Sequence, residues 1–110
     1  MTSKSSTTTV VEIVATMAPM HPGEMLREEF LLPLGLSPGK VAKAAGIPRT
    51  RIERIVGEKV GISADTALRL GRVLGTSAEF WLNLQMRYDL LTEKAALRGR
   101  LEDVVNLRAA

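Results

Sequence analysis

Ser37-Pro38-Gly39-Lys40-Val41-Ala42-Lys43-Ala44-Ala45-Gly46-Ile47-Pro48-Arg49-Thr50-Arg51-Ile52-Glu53-Arg54-Ile55-Val56 reads as two short helices joined by a glycine turn. Ser37 is placed to cap the first helix, with Pro38 at its opening position. Ala42 supplies a small side chain where the two helices cross, and Gly46, four residues later, is free to turn left-handed. Ile47, Ile52 and Ile55 fall where they pin the second helix to the first. Left outward are Arg49, Thr50, Glu53 and Arg54, with Arg51 to one side. Such side chains hydrogen-bond to base edges and phosphates. The spacing predicts a helix-turn-helix whose second helix faces double-stranded DNA.

The charge distribution points the same way. The 110-residue chain carries a formal charge of +3, which is mild. Residues 37–61 hold six bases (Lys40, Lys43, Arg49, Arg51, Arg54, Lys59) and two acids (Glu53, Glu58), so the motif alone carries +4. A positive patch on a motif shaped for the major groove is the footprint expected for DNA, whereas an isolated charged stretch is more often a solvated helix face. Arg49, Thr50 and Arg54 are expected at base edges. Arg51, Ser37, Lys40 and Lys59 are expected at phosphates, helped by the free N–H groups at the start of the first helix. Lys43 is read as surface charge.

Outward from the motif, turn and cap residues divide the rest into helices. One is expected over roughly residues 23–31, with Met25, Leu26, Phe30 and Leu31 inward and Pro33 and Gly35 ending it. Ser63 caps a fourth helix bearing Ala67, Leu70, Val73 and Leu74, which Gly75 stops. Ser77 caps a fifth, carrying Phe80, Trp81, Leu84, Tyr88 and Leu91. Leu97, Leu101, Val104 and Val105 suggest a further helix over residues 94–107, weakened at Gly99 by about 1 kcal/mol. The expected architecture is an all-α bundle of five helices plus that extra one. It comprises a flexible tail over residues 1–19, a helix-turn-helix domain over 20–93 and a helical extension over 94–110. Within the tail, Thr9-Val10-Val11-Glu12-Ile13-Val14-Ala15-Thr16 fits either a short strand on a sheet edge or partner chain or a disordered segment.

Several function classes are disfavoured. There is no cysteine and a single histidine, His21, which leaves little for a metal site or a nucleophilic triad; no cofactor is expected. Glu28 and Glu29 are adjacent and point about 100° apart on a helix, so they form no acid/base pair and an enzyme is not expected. No apolar run nears the ~20 residues of a membrane span, so the expected setting is cytoplasmic. The aromatic segment from Phe80 to Leu91 is first of all core. Because the apolar C-terminal region exceeds what one small core needs, Phe80, Trp81, Leu84, Tyr88 and Leu91 are also the expected dimer face.

Five segments add to this: His21-Pro22-Gly23-Glu24, Leu26-Arg27-Glu28-Glu29-Phe30, Gly61-Ile62-Ser63, Ala67-Leu68-Arg69-Leu70 and Glu79-Phe80-Trp81-Leu82-Asn83-Leu84-Gln85. On these, residues 21–92 resemble the HigA family of addiction-module antitoxins, within the lambda-repressor-like (XRE-type) helix-turn-helix proteins. The resemblance implies a homodimer that represses its own operon and neutralises a HigB-type toxin, a RelE-like ribonuclease acting on messenger RNA. A free-standing repressor without a toxin, and a protein-interaction module without DNA, stand as alternatives. Two departures are visible. Pro48 stands where many relatives open the reading helix with serine. Gly57-Glu58-Lys59-Val60 stands where Asn-Gly-Lys followed by Arg is frequent, so an acid replaces a glycine and a base is missing.

Overall fold

The computed structural model describes residues 18–109, and the tail expected over residues 1–19 lies, but for Ala18 and Pro19, outside them. All regular elements among the described residues are helical. Helix α1 is a continuous run of three segments, Pro22–Met25, Leu26–Leu31 and Leu32–Leu34. It is followed by α2 (Pro38–Ala45), α3 (Arg49–Val56), α4 (Ala64–Leu74) and α5 (Ala78–Ala96).

Helix α1 outlasts its expected end. Its middle segment is π-helical, with Leu32 N–H bonding to Arg27 O, and the chain stays helical through Pro33 until Gly35. Proline lacks the donor an α-turn needs and crowds the carbonyl four residues back. The wider turn ahead of it relieves both demands. At the other end, His21 Nδ1 accepts a hydrogen bond from Gly23 N–H (2.9 Å) and Pro22 takes the first turn. His21 is buried and meets Tyr88 edge-on at 4.9 Å.

The core is aliphatic around one indole. Leu26 and Leu31 of α1, Val41 and Ala42 of α2, Ile52 and Ile55 of α3, Ile62, Ala67 and Leu70 of α4 and its approach, and Trp81 of α5 are all buried. Trp81 is wholly enclosed, and its indole N–H donates to Thr76 Oγ1 at 2.7 Å, so the one polar atom on that ring is satisfied. Phe30 and Phe80 lean against it, at 5.3 and 5.0 Å between ring centres. Serine caps open α2, α4 and α5 as expected, Ser37, Ser63 and Ser77 each accepting a backbone N–H.

The C-terminal extension departs from expectation. Helix α5 stops at Ala96, Gly99 turns left-handed (φ 86°), and only a short 3-10 turn, Leu101–Asp103, follows instead of a helix to residue 107. Leu101, Val104, Val105 and Leu107 are all exposed. Among the described residues, nothing covers their apolar side. A short helix without tertiary burial is marginal, and a glycine tips it against forming.

Candidate nucleic-acid interface

Helices α2 and α3 form the motif that their sequence suggested. Ser37 Oγ accepts Lys40 N–H (3.1 Å) at the start of α2. Gly46 closes the helix at φ 71°, and Ile47 N–H then bonds back to Ala42 O at 3.1 Å. Those bonds fix the angle at which the chain re-enters as α3. Ile52 and Ile55 are completely buried, which fixes the rotation of α3 about its axis. The opposite face is thereby exposed, and it carries Pro48, Arg49, Thr50, Glu53 and Arg54.

Arg49 lies over Gly39 of α2, where an added Cβ would stand 3.0 Å from its Cδ. It also pairs with Glu53 at 3.3 Å, one turn along. Ser37, Lys40 and Lys59 are exposed at the flanks. Pro48 caps α3 by position only, with no side-chain hydrogen bond. Arg51 is different from its neighbours: its guanidinium is turned to Asp65 of α4, Nη1 to Oδ2 at 3.0 Å.

The frame around α3 rests on residues that sequence reasoning passed over. Arg27 of α1 donates from Nη1 to Val56 O at the end of α3, and its Nη2 meets Glu58 at 3.3 Å. Arg69 of α4 donates to Ala45 O at 2.8 Å. Gln85 of α5 accepts Ile62 N–H at 2.7 Å, fastening the loop that follows the motif. Each contact spans more than twenty residues of chain, beyond any local periodicity. The only hint was that all three residues lie inside the quoted family segments.

Glu58 takes a left-handed backbone (φ 60°), a conformation that favours glycine. A side chain there costs about 1–2 kcal/mol, while glycine's extra unfolded freedom costs about 0.5–1 and an exposed ion pair is worth well under 1. Glu58→Gly is therefore expected to raise the melting temperature by roughly 2–4 °C, a net gain near 0.5 kcal/mol. A fall on thermal denaturation would mean that the Arg27 pair outweighs the strain.

The expected dimer face needs correction at Trp81, whereas Phe80, Leu84, Tyr88 and Leu91 are half-buried. Trp81 is wholly inside the protomer, and Phe80 and Leu84 pack against the core. Tyr88 is engaged with His21. The reason is helical phase: Trp81, Leu84 and Tyr88 share the inward stripe of α5. The outward stripe shows Met86 and Leu90 along an open groove with Gln85, Asp89 and Glu93, and Leu82, half-buried against the core, stands at its edge. Met86 and Leu90 are each more than three-fifths exposed.

Comparison with known proteins fixes the family. No protein-family model matches the chain. Antitoxin HigA-1 of Vibrio cholerae is 39% identical over 72 residues, covering 66% of this chain and 68% of that protein. The solved structure of the Pseudomonas aeruginosa antitoxin HigA with higBA promoter superposes with a TM-score of 0.77 at 46% identity, covering 81% of this chain and 97% of that one. The chain belongs to the HigA family of antitoxins. Virulence-associated protein I of Dichelobacter nodosus is also similar, 55% identical over 74 residues, or 67% of this chain and 68% of that protein. The HigA likeness accounts for the segments quoted from the sequence, which are mostly architectural. His21-Pro22-Gly23 starts α1, and Trp81 and Gln85 anchor α5 to the core and to the α3–α4 loop.

Proposed function

We propose that this protein is a DNA-binding antitoxin: a homodimer that represses its own operon and neutralises a HigB-type toxin. The observation that carries the DNA role is the exposure of Arg49, Thr50 and Arg54 on the face of α3 opposite Ile52 and Ile55. A HigA relative of nearly half-identical sequence has been solved with promoter DNA. In this reading Arg49, Thr50 and Arg54 meet base edges in the major groove, Ser37, Lys40 and Lys59 meet phosphates, and Pro48, which has no N–H to donate, lies against the DNA by contact alone.

No helix among the described residues is long and apolar enough to cross a membrane. A cytoplasmic setting, where operon DNA and messenger RNA are both found, follows from the proposed role. The toxin assignment rests on the relatives named as antitoxins. Co-expression with the product of the neighbouring reading frame tests it: growth should be restored by this protein, and unrelieved arrest would leave a free-standing repressor.

In this reading the dimer forms through the outward stripe of α5, Met86 and Leu90, extended by the exposed apolar residues after Ala96. Apolar area of this kind is ordinarily covered in oligomers. Met86→Glu/Leu90→Glu should convert a dimer into a folded monomer in sedimentation experiments. Since each copy then holds one half-site alone, operator affinity should fall at least a hundredfold. A variant that remains dimeric would exclude this face.

A further inference from the structure

Asp65, in the first turn of α4, is shared by two arginines. Arg51 Nη1 reaches it from α3 at 3.0 Å, and Arg69 Nε reaches it from one turn further along α4 at 3.1 Å. Arg69 continues through Nη1 to Ala45 O, the last residue of α2, at 2.8 Å. One carboxylate thus links the end of α2, the flank of α3 and the start of α4. The hydrogen bond from Arg69, with the further one from Arg51, holds the Asp65 carboxyl below the usual carboxylate range, so it is ionised at neutral pH. The geometry separates Arg51 from its neighbours. The Arg49 side chain is 70% exposed and its partner Glu53 lies on the same outward face of α3, whereas that of Arg51 is 40% exposed and is drawn off α3 to a carboxylate on another helix.

We propose that Asp65 is a positioning residue that withholds Arg51 from the DNA backbone and so sets the strength of sequence-independent binding. The inference rests on the DNA-binding proposal above. Its physical basis is counterion release: each phosphate neutralised by a cation steepens the dependence of log affinity on log salt by about 0.9. An arginine that must first leave a carboxylate contributes less than a free one. Asp65 therefore acts as an internal competitor with phosphate. It limits the grip of α3 on arbitrary DNA without touching the bases that Arg49, Thr50 and Arg54 face.

The test is a double-variant cycle on a scrambled duplex and on the protein's own upstream DNA, titrated from 50 to 200 mM salt. Asp65→Asn keeps the shape of the side chain and removes its charge. Binding to both duplexes should tighten about fivefold per engaged copy near 0.15 M salt, and the salt slope should steepen by about 0.9. Arg51→Gln separates release of Arg51 from simple loss of a negative charge. It should weaken binding about fivefold more in the Asp65→Asn background than in the native one. Equal effects of Arg51→Gln in both backgrounds would overturn the proposal, as would an unchanged slope in Asp65→Asn. If the native protein bound neither duplex in a salt-dependent way, the DNA-binding proposal would fall together with this one. Thermal melts of all four proteins show whether the fold is kept, and the coupling is read only as a difference between folded variants.

Discussion

Gly23→Ala is expected to lower the melting temperature by at least about 12 °C, a loss of roughly 3 kcal/mol or more. A Cβ at this position would stand 1.7 Å from Ile55 O and 2.8 Å from its carbonyl carbon. Both are backbone atoms, so no side-chain rotation relieves the clash. Either α1 or the end of α3 has to move. Moving α1 pulls His21 from its edge-on contact with Tyr88 of α5, and moving α3 displaces Ile52 and Ile55 from the centre of the core. For a small domain with total stability of about 5–15 kcal/mol, that is a large share. The measurement is thermal or urea denaturation followed by helical circular dichroism. A melting temperature within 3 °C of the native protein would show that the approach of α1 to α3 is looser than described.

Arg49→Ala/Arg54→Ala should do the opposite, leaving the fold and removing the function. Both side chains are exposed, and the Arg49–Glu53 pair lost with them is a surface i,i+4 contact worth about 0.3–0.5 kcal/mol. The melting temperature should move by no more than about 3 °C. In binding, each arginine that meets a guanine in bidentate fashion discriminates by about 1–3 kcal/mol. Losing two per half-site should reduce preference for the operator over scrambled DNA at least a hundredfold. Competition titration of the two duplexes reads that ratio. A variant retaining native preference would remove Arg49 and Arg54 from the base-reading surface.

These two variants divide what was legible in the sequence from what was not. The motif was legible because its determinants are local: a cap at Ser37, a left-handed turn at Gly46, and isoleucines at helical spacing on α3. Local rules also placed α4 and α5 and most of the core. They failed where the outcome depends on residues far apart in the chain. Pro33 reads as a helix stop, yet a π-turn accommodates it and α1 runs to Leu34. Residues 97–107 have helical periodicity, but among the described residues nothing covers Leu101, Val104, Val105 or Leu107. Periodicity reports which residues want burial and not whether a partner surface exists to bury them.

The same limit explains the candidate site. Outward residues of α3 follow from its inward ones, so Arg49, Thr50 and Arg54 could be named from the sequence. Arg51 reads from the sequence as a phosphate contact to one side, but its pairing does not, because Asp65 is fourteen residues away and belongs to another helix. Trp81 was placed on a dimer face although it is core, since composition gives a surplus of apolar residues without the phase of α5. Gly23 carried only a family signature until Ile55 O was seen beside it.

In the proposed complex two copies of α3 read one operator from adjacent major grooves. Hydroxyl-radical footprinting of the DNA upstream of this protein's own reading frame tests it most directly. Two protected patches, related by a two-fold axis and one helical turn apart (about 34–36 Å), are predicted, and both should vanish with Arg49→Ala/Arg54→Ala. Protection no different from that on scrambled DNA, or a footprint that survives in the variant, would contradict it.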